Sequence, residues 1–109
     1  LFFRIRRGLR LKARATRIPG AVCVVTGASA GIGAATCEVL AELGASKVVM
    51  LARTEEKLRA KAAEINGRFP GVALVYAIDC SDSAKVDAMA EWVLAEVGTP
   101  DVVVNCAGA

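Results

Sequence analysis

From residue 21 onward, short apolar runs alternate with longer segments whose apolar positions recur every three or four residues. Ala21-Val22-Cys23-Val24-Val25, Val48-Val49-Met50-Leu51, Val72-Ala73-Leu74-Val75-Tyr76-Ala77-Ile78 and Val102-Val103-Val104 contain no charged residue. Such runs are the pattern of strands buried on both faces of a parallel sheet. Between the first two, Ile32, Ala35, Val39, Leu40 and Leu43 fall at helical spacing, Glu38 and Glu42 lie on the other face, and Gly44 marks the stop. Leu58, Ala62 and Ile65 predict the buried face of a second helix. Thr54 can cap it, Glu55 and Glu56 suit its dipole, and Asn66-Gly67 with Pro70-Gly71 are read as its end. A third helix starts at Asp82 or Ser83, buries Val86, Met89, Ala90, Val93 and Val97, and closes at Gly98 and Pro100. Trp92 is read as a packing residue.

The resulting order, βαβαβαβ, requires parallel pairing through right-handed crossovers. The expected fold is therefore α/β, a Rossmann-type doubly wound parallel sheet with these strands in the order 3-2-1-4, incomplete and with an open edge at strand four. Residues 21–109 are read as the first half of such a domain. Residues 1–20 mix apolar and basic side chains and end in the loop signal Pro19-Gly20, so they are read as a basic leader or juxtamembrane segment outside the core.

Charge sharpens that division. Seven of the 14 Lys and Arg side chains (Arg4, Arg6, Arg7, Arg10, Lys12, Arg14 and Arg17) lie in residues 1–20, where no Asp or Glu occurs, and all 11 acidic residues follow. The net charge of +3 thus originates in the leader and does not imply a nucleic-acid partner. The leader could meet a membrane surface. The four cysteines, Cys23, Cys37, Cys80 and Cys106, show no C-x-x-C spacing, and the sequence has no His, so no metal site is expected. They read as small core residues in a reducing, intracellular setting, cytoplasmic or at the endoplasmic reticulum membrane.

The turn after the first strand carries the clearest chemistry. Thr26-Gly27-Ala28-Ser29-Ala30-Gly31-Ile32-Gly33 joins a buried strand to an amphipathic helix, where helix N-terminal amides can face a pyrophosphate. Gly27 permits the tight turn, Gly31 a close backbone approach, Ser29 a hydroxyl contact, and Gly33 close packing of the helix. Gly33 is followed by Ala34-Ala35 rather than Lys-Ser/Thr, which excludes a P-loop triphosphatase. Twenty positions after Gly33, where an NAD site holds an acid against the ribose 2′-hydroxyl, stands Arg53. A guanidinium there pairs with a 2′-phosphate, which favours NADP(H) over NAD(H). Lys57, one helical turn on, can add a second charge.

Thr-Gly-x-x-x-Gly-Ile-Gly at residues 26–33, followed by Asn105-Cys106-Ala107-Gly108 after the fourth strand, resembles the short-chain dehydrogenase/reductase family over about residues 21–109. The second element is similar to the family's Asn-Asn-Ala-Gly, with Cys106 in place of the second Asn. The resemblance implies cofactor contacts from Gly27, Ser29, Ala30, Gly31, Ile32 and Gly33, and from Asp79 and Cys80 at the adenine. It implies that Asn105 helps hold the central strand and that the Ala107-Gly108 backbone lies beside the cofactor.

The family's Ser and Tyr-x-x-x-Lys are absent: the one tyrosine is Tyr76, with Cys80 four residues later. No catalytic residue is therefore assigned, and the segment alone is expected to be inactive. The parent protein is expected to transfer hydride between NADPH and a small carbonyl or alcohol substrate, and could be a homo-oligomer. The alternative is a non-catalytic NADP(H)-binding or regulatory protein. Arg53-Thr54-Glu55-Glu56-Lys57-Leu58, Asn105-Cys106-Ala107-Gly108 and the basic leader together also resemble 3-ketodihydrosphingosine reductases and microsomal steroid or retinoid reductases of the same family.

Overall fold

The computed structural model describes residues 2–5, 9–13 and 17–106. Six strands and three helices follow in the order β1 (Phe2–Ile5), β2 (Leu9–Ala13), β3 (Val22–Thr26), α1 (Gly31–Glu42), β4 (Lys47–Ala52), α2 (Glu55–Arg68), β5 (Ala73–Ala77), α3 (Ser83–Glu96) and β6 (Val102–Asn105). They build one sheet, β1-β2-β6-β3-β4-β5. The four strands expected from the apolar runs stand in their expected order, β5-β4-β3-β6, all parallel.

The open edge expected at the fourth strand is corrected. β2 pairs antiparallel with β6, Arg10 opposite Asn105 and Ala13 opposite Val102, and β1 pairs antiparallel with β2. Both strands lie in the segment read as a leader. Their alternation of apolar and basic residues lacked the continuous apolar character by which the other strands were recognised. Among the described residues, no helix is long and apolar enough to cross a membrane.

Two apolar layers flank the sheet. On one face Cys23, Val25, Val48, Met50, Val102 and Val104 pack against α1 and α2 through Cys37, Leu40, Leu58 and Ile65. On the other, Val24, Val49 and Leu51 meet Met89 and Val93 of α3, with Tyr76 and Trp92 at the margin. Those two rings meet in a tilted contact with centroids 5.0 Å apart, which bears out the packing role read for Trp92.

The helices refine the expected faces. α1 buries Gly33, Ala34, Cys37, Leu40 and Ala41, whereas Ile32, Val39 and Leu43 are exposed and so is Ala35. Small residues win because they let the helix approach the sheet closely, a preference that hydrophobicity alone does not reveal. α2 buries Leu58, Ala62 and Ile65 as expected, but it runs through Asn66 and Gly67 to Arg68. Asn66 is retained in the helix because its side chain binds Ala73 in both directions, accepting from its N–H (2.8 Å) and donating to its carbonyl (3.0 Å). Thr54 occupies the N-cap of α2 without a side-chain hydrogen bond, while Asp82 caps α3 by accepting from the Lys85 N–H at 3.2 Å. Of the expected α3 face, Met89 and Val93 are buried, Val86 and Val97 half-buried, and Ala90 exposed.

Candidate nucleotide-binding site

All four parallel strands direct their carboxyl ends to one edge of the sheet, where the crevice of an open α/β fold lies. The turn from β3 to α1 is built on two left-handed glycines, Gly27 (φ 64°) and Gly31 (φ 58°), and is tied to β4 by the Ala28 N–H donating to the Leu51 carbonyl at 3.0 Å. Gly33 has a different role. A Cβ there would stand 2.0 Å from the Gly27 carbonyl oxygen, so the first turn of α1 rests directly on the loop. Ala30, the N-cap of α1, supplies no side-chain hydrogen bond, which leaves the helix's leading amides without a side-chain cap.

A groove of about 660 Å³ runs along this edge, lined by Gly27 and Ser29 of the turn, Ala52, Arg53 and Thr54 after β4, Ile78, Asp79, Cys80 and Ser81 after β5, and Asn105 and Cys106 at the end of β6. Of the residues singled out from the sequence, it thus brings together Gly27, Ser29, Arg53, Asp79, Cys80 and Asn105. Ala30, Gly31, Ile32 and Gly33 shape the turn beside it. Lys57 lies exposed on α2 and does not line the groove. Ala107 and Gly108 lie outside the described residues.

Asp79 is held locally. Its Oδ1 accepts from the Ser81 N–H (3.0 Å) and hydroxyl (2.7 Å), and these bonds, the backbone one foremost, hold its carboxyl below the usual carboxylate range, with the positive charges of Arg53 and Lys85 adding to the effect. Ser81 was missed in the sequence reading, although an Asp followed two residues later by Ser is the signal of such a turn. Burial pushes both the Cys80 and Cys106 thiols up. The other residue missed as a site element is Thr26, whose hydroxyl donates to Asn105 Oδ1 at 2.8 Å and accepts from the Cys106 N–H at 3.0 Å. The pair fixes the end of β6 against the end of β3 beneath the groove.

Residues 21–109 match the sequence model of the short chain dehydrogenase family. The chain belongs to that family. Among short chain dehydrogenase relatives and neighbours, the uncharacterized oxidoreductase Rv1543 of Mycobacterium tuberculosis (strain ATCC 25618 / H37Rv) is 42% identical over 96 residues, 84% of this chain and 27% of the relative. A metagenomic short-chain oxidoreductase solved in complex with NADP is 49% identical with a TM-score of 0.72, over 78% of this chain and 38% of that one. The L-sorbose reductase of Gluconobacter frateurii, solved with NADPH and L-sorbose, is 36% identical with a TM-score of 0.72, over 78% and 32%. The chain therefore spans about a quarter of the length of the first curated relatives it matches, 27% in the case of Rv1543.

Proposed function

We propose that this chain is the NADP(H)-binding portion of an oxidoreductase that moves hydride between NADPH and a carbonyl or alcohol substrate. The observation that carries the reading is Arg53, placed at the end of β4 on the wall of a groove that begins at the glycine turn. No acid stands in β4 or at its end, so that strand carries no carboxylate to repel a 2′-phosphate. The NADP and NADPH held by the similar solved proteins support the same reading.

The residues present fit such a group. The turn of Gly27, Ser29 and Gly31, with the amides that lead into α1, suits a pyrophosphate. Arg53 suits the 2′-phosphate, Asp79 and Cys80 suit the adenine, and Asn105 lines the groove at the end of β6. Bound nicotinamide would supply the hydride chemistry. This chain's own residues bind and orient it, and the Thr26–Asn105 bond keeps the two central strand ends in fixed relation. Tyr76 is engaged with Trp92 and is given no part in proton transfer; that task, and the substrate pocket, are assigned to the remainder of a longer parent protein.

Thermal unfolding in the presence of NADP(H), NAD(H) and ATP tests the class. A ligand present at a hundred times its Kd stabilises the native state by about 2.7 kcal/mol. NADP(H) should raise the midpoint most, NAD(H) less, and ATP little; equal stabilisation by ATP would contradict the dinucleotide reading.

A further inference from the structure

Beside the groove lies a second cavity of about 470 Å³, lined by Arg53, Tyr76, Ala77, Ile78, Asp79, Lys85 and Ala88. Arg53, Ile78 and Asp79 line both, so the two cavities share a wall. We propose that Lys85, at the start of α3, is a second cation of the 2′-phosphate subsite and acts with Arg53 on the adenosine end of the cofactor. The inference rests on the NADP(H) reading above and adds a specificity-determining residue to it.

Three observations lead to Lys85. The first is pairing. Within residues 21–106, Arg59, Lys61 and Arg68 form ion pairs with Glu55, Glu38 and Glu64, and Glu42, and Lys47 donates to the Gly71 carbonyl. Among the described residues, Arg53 and Lys85 form no ion pair, yet they stand on the wall of one cavity.

The second is charge balance. Asp79 lines the same wall and opposes Arg53, so those two residues alone would present a neutral surface to a phosphate dianion. Lys85 makes the wall net positive. Asp79 is also occupied by its own turn, with Oδ1 accepting both bonds from Ser81, so neither cation is consumed by a direct bond to it. Both cations nevertheless act on the Asp79 carboxyl through their charges, which places them on the same local field.

The third is anchoring. The Lys85 backbone N–H donates to Asp82 Oδ1, which fixes the first turn of α3 and hence the base of the lysine side chain, while the ammonium end remains exposed to a ligand. Lys57, the second cation expected from sequence spacing, lines neither cavity.

Calorimetric titration of the 109-residue chain with 2′,5′-ADP and 5′-AMP isolates the phosphate contact, with folding of each variant checked by circular dichroism. Lys85→Gln should weaken 2′,5′-ADP binding about three- to tenfold, as expected for one charge-assisted contact at an exposed site, and leave 5′-AMP binding unchanged. Arg59→Gln, on α2 and outside both cavities, should change neither. Unaltered 2′,5′-ADP binding by Lys85→Gln, alongside a loss in Arg53→Ala, would overturn the role of Lys85 and leave the NADP(H) reading standing. Failure of the unmodified chain to prefer 2′,5′-ADP over 5′-AMP would overturn both.

Discussion

Thr26 donates its hydroxyl proton to Asn105 Oδ1 at 2.8 Å, so the carboxyl ends of β3 and β6 are joined by side chains as well as by their ladder. The Thr26 hydroxyl oxygen in turn accepts from the Cys106 N–H. Thr26→Val keeps the shape and removes both bonds. Loss of such bonds should destabilise the chain by about 1 kcal/mol, measured as a lower urea midpoint at unchanged slope. A midpoint equal to that of the unmodified chain would show that the link carries no stability.

Two glycines should respond in opposite directions to the same substitution. Gly33→Ala drives a methyl group to 2.0 Å from the Gly27 carbonyl oxygen, backbone against backbone, and should cost about 1–3 kcal/mol or more while distorting the nucleotide turn. Gly67→Ala, in the last turns of α2 with nothing within 4 Å of the added carbon, should stabilise by about 0.5–1 kcal/mol. Paired denaturation curves check both.

The buried thiols give the fold an alkaline limit. Burial, with Asp101 adding to it, pushes Cys23 up from its ordinary 9.0 to about 11, and burial together with neighbouring charges pushes Cys37 to about 12. A raised folded pKa means that the neutral thiol is favoured in the native state. Its contribution is complete below pH 9 and is lost as the pH climbs from there toward 11–12. Each thiol should cost about 1.4 kcal/mol per pH unit within that window. Urea midpoints from pH 8 to 10.5 should therefore fall, and Cys37→Ala should make the decline shallower; parallel curves for the two proteins would refute the assignment.

The position of β6 between β3 and β2 is measurable by hydrogen exchange. Those β6 amides not bonded to β3 should be protected in the intact chain, and their exchange should accelerate about 10- to 100-fold when residues 1–16 are removed. Identical rates in both chains would show that β2 does not shield that edge.

What was legible in the sequence follows from what each residue does locally. The four parallel strands announced themselves because burial on both faces demands uninterrupted apolar runs, and Gly27 and Gly31 because the turn needs positive φ. Arg53 was placed by its distance along the chain from Gly33. The buried face of α1 was obscured because Gly33, Ala34, Cys37 and Ala41 are chosen for size rather than hydrophobicity, so larger residues drew attention to the wrong side. Asn66 resembled a helix terminator until its partner, Ala73, was known. The pairing of β2 with β6 joins residues about ninety positions apart and leaves no local signature. Lys85 was invisible for a similar reason, since only the fold sets it beside Arg53.

The central claim is that this edge of the sheet holds NADP(H) through Arg53. Calorimetric titration with NADPH and NADH, comparing the unmodified chain with Arg53→Ala, tests it most directly. The guanidinium–phosphate contact should be worth about 1.5–3 kcal/mol, so NADPH should bind about ten- to a hundredfold more tightly than NADH, and the substitution should abolish that preference without affecting NADH. Equal affinity for the two nucleotides in the unmodified chain, or a preference that survives Arg53→Ala, would contradict the account.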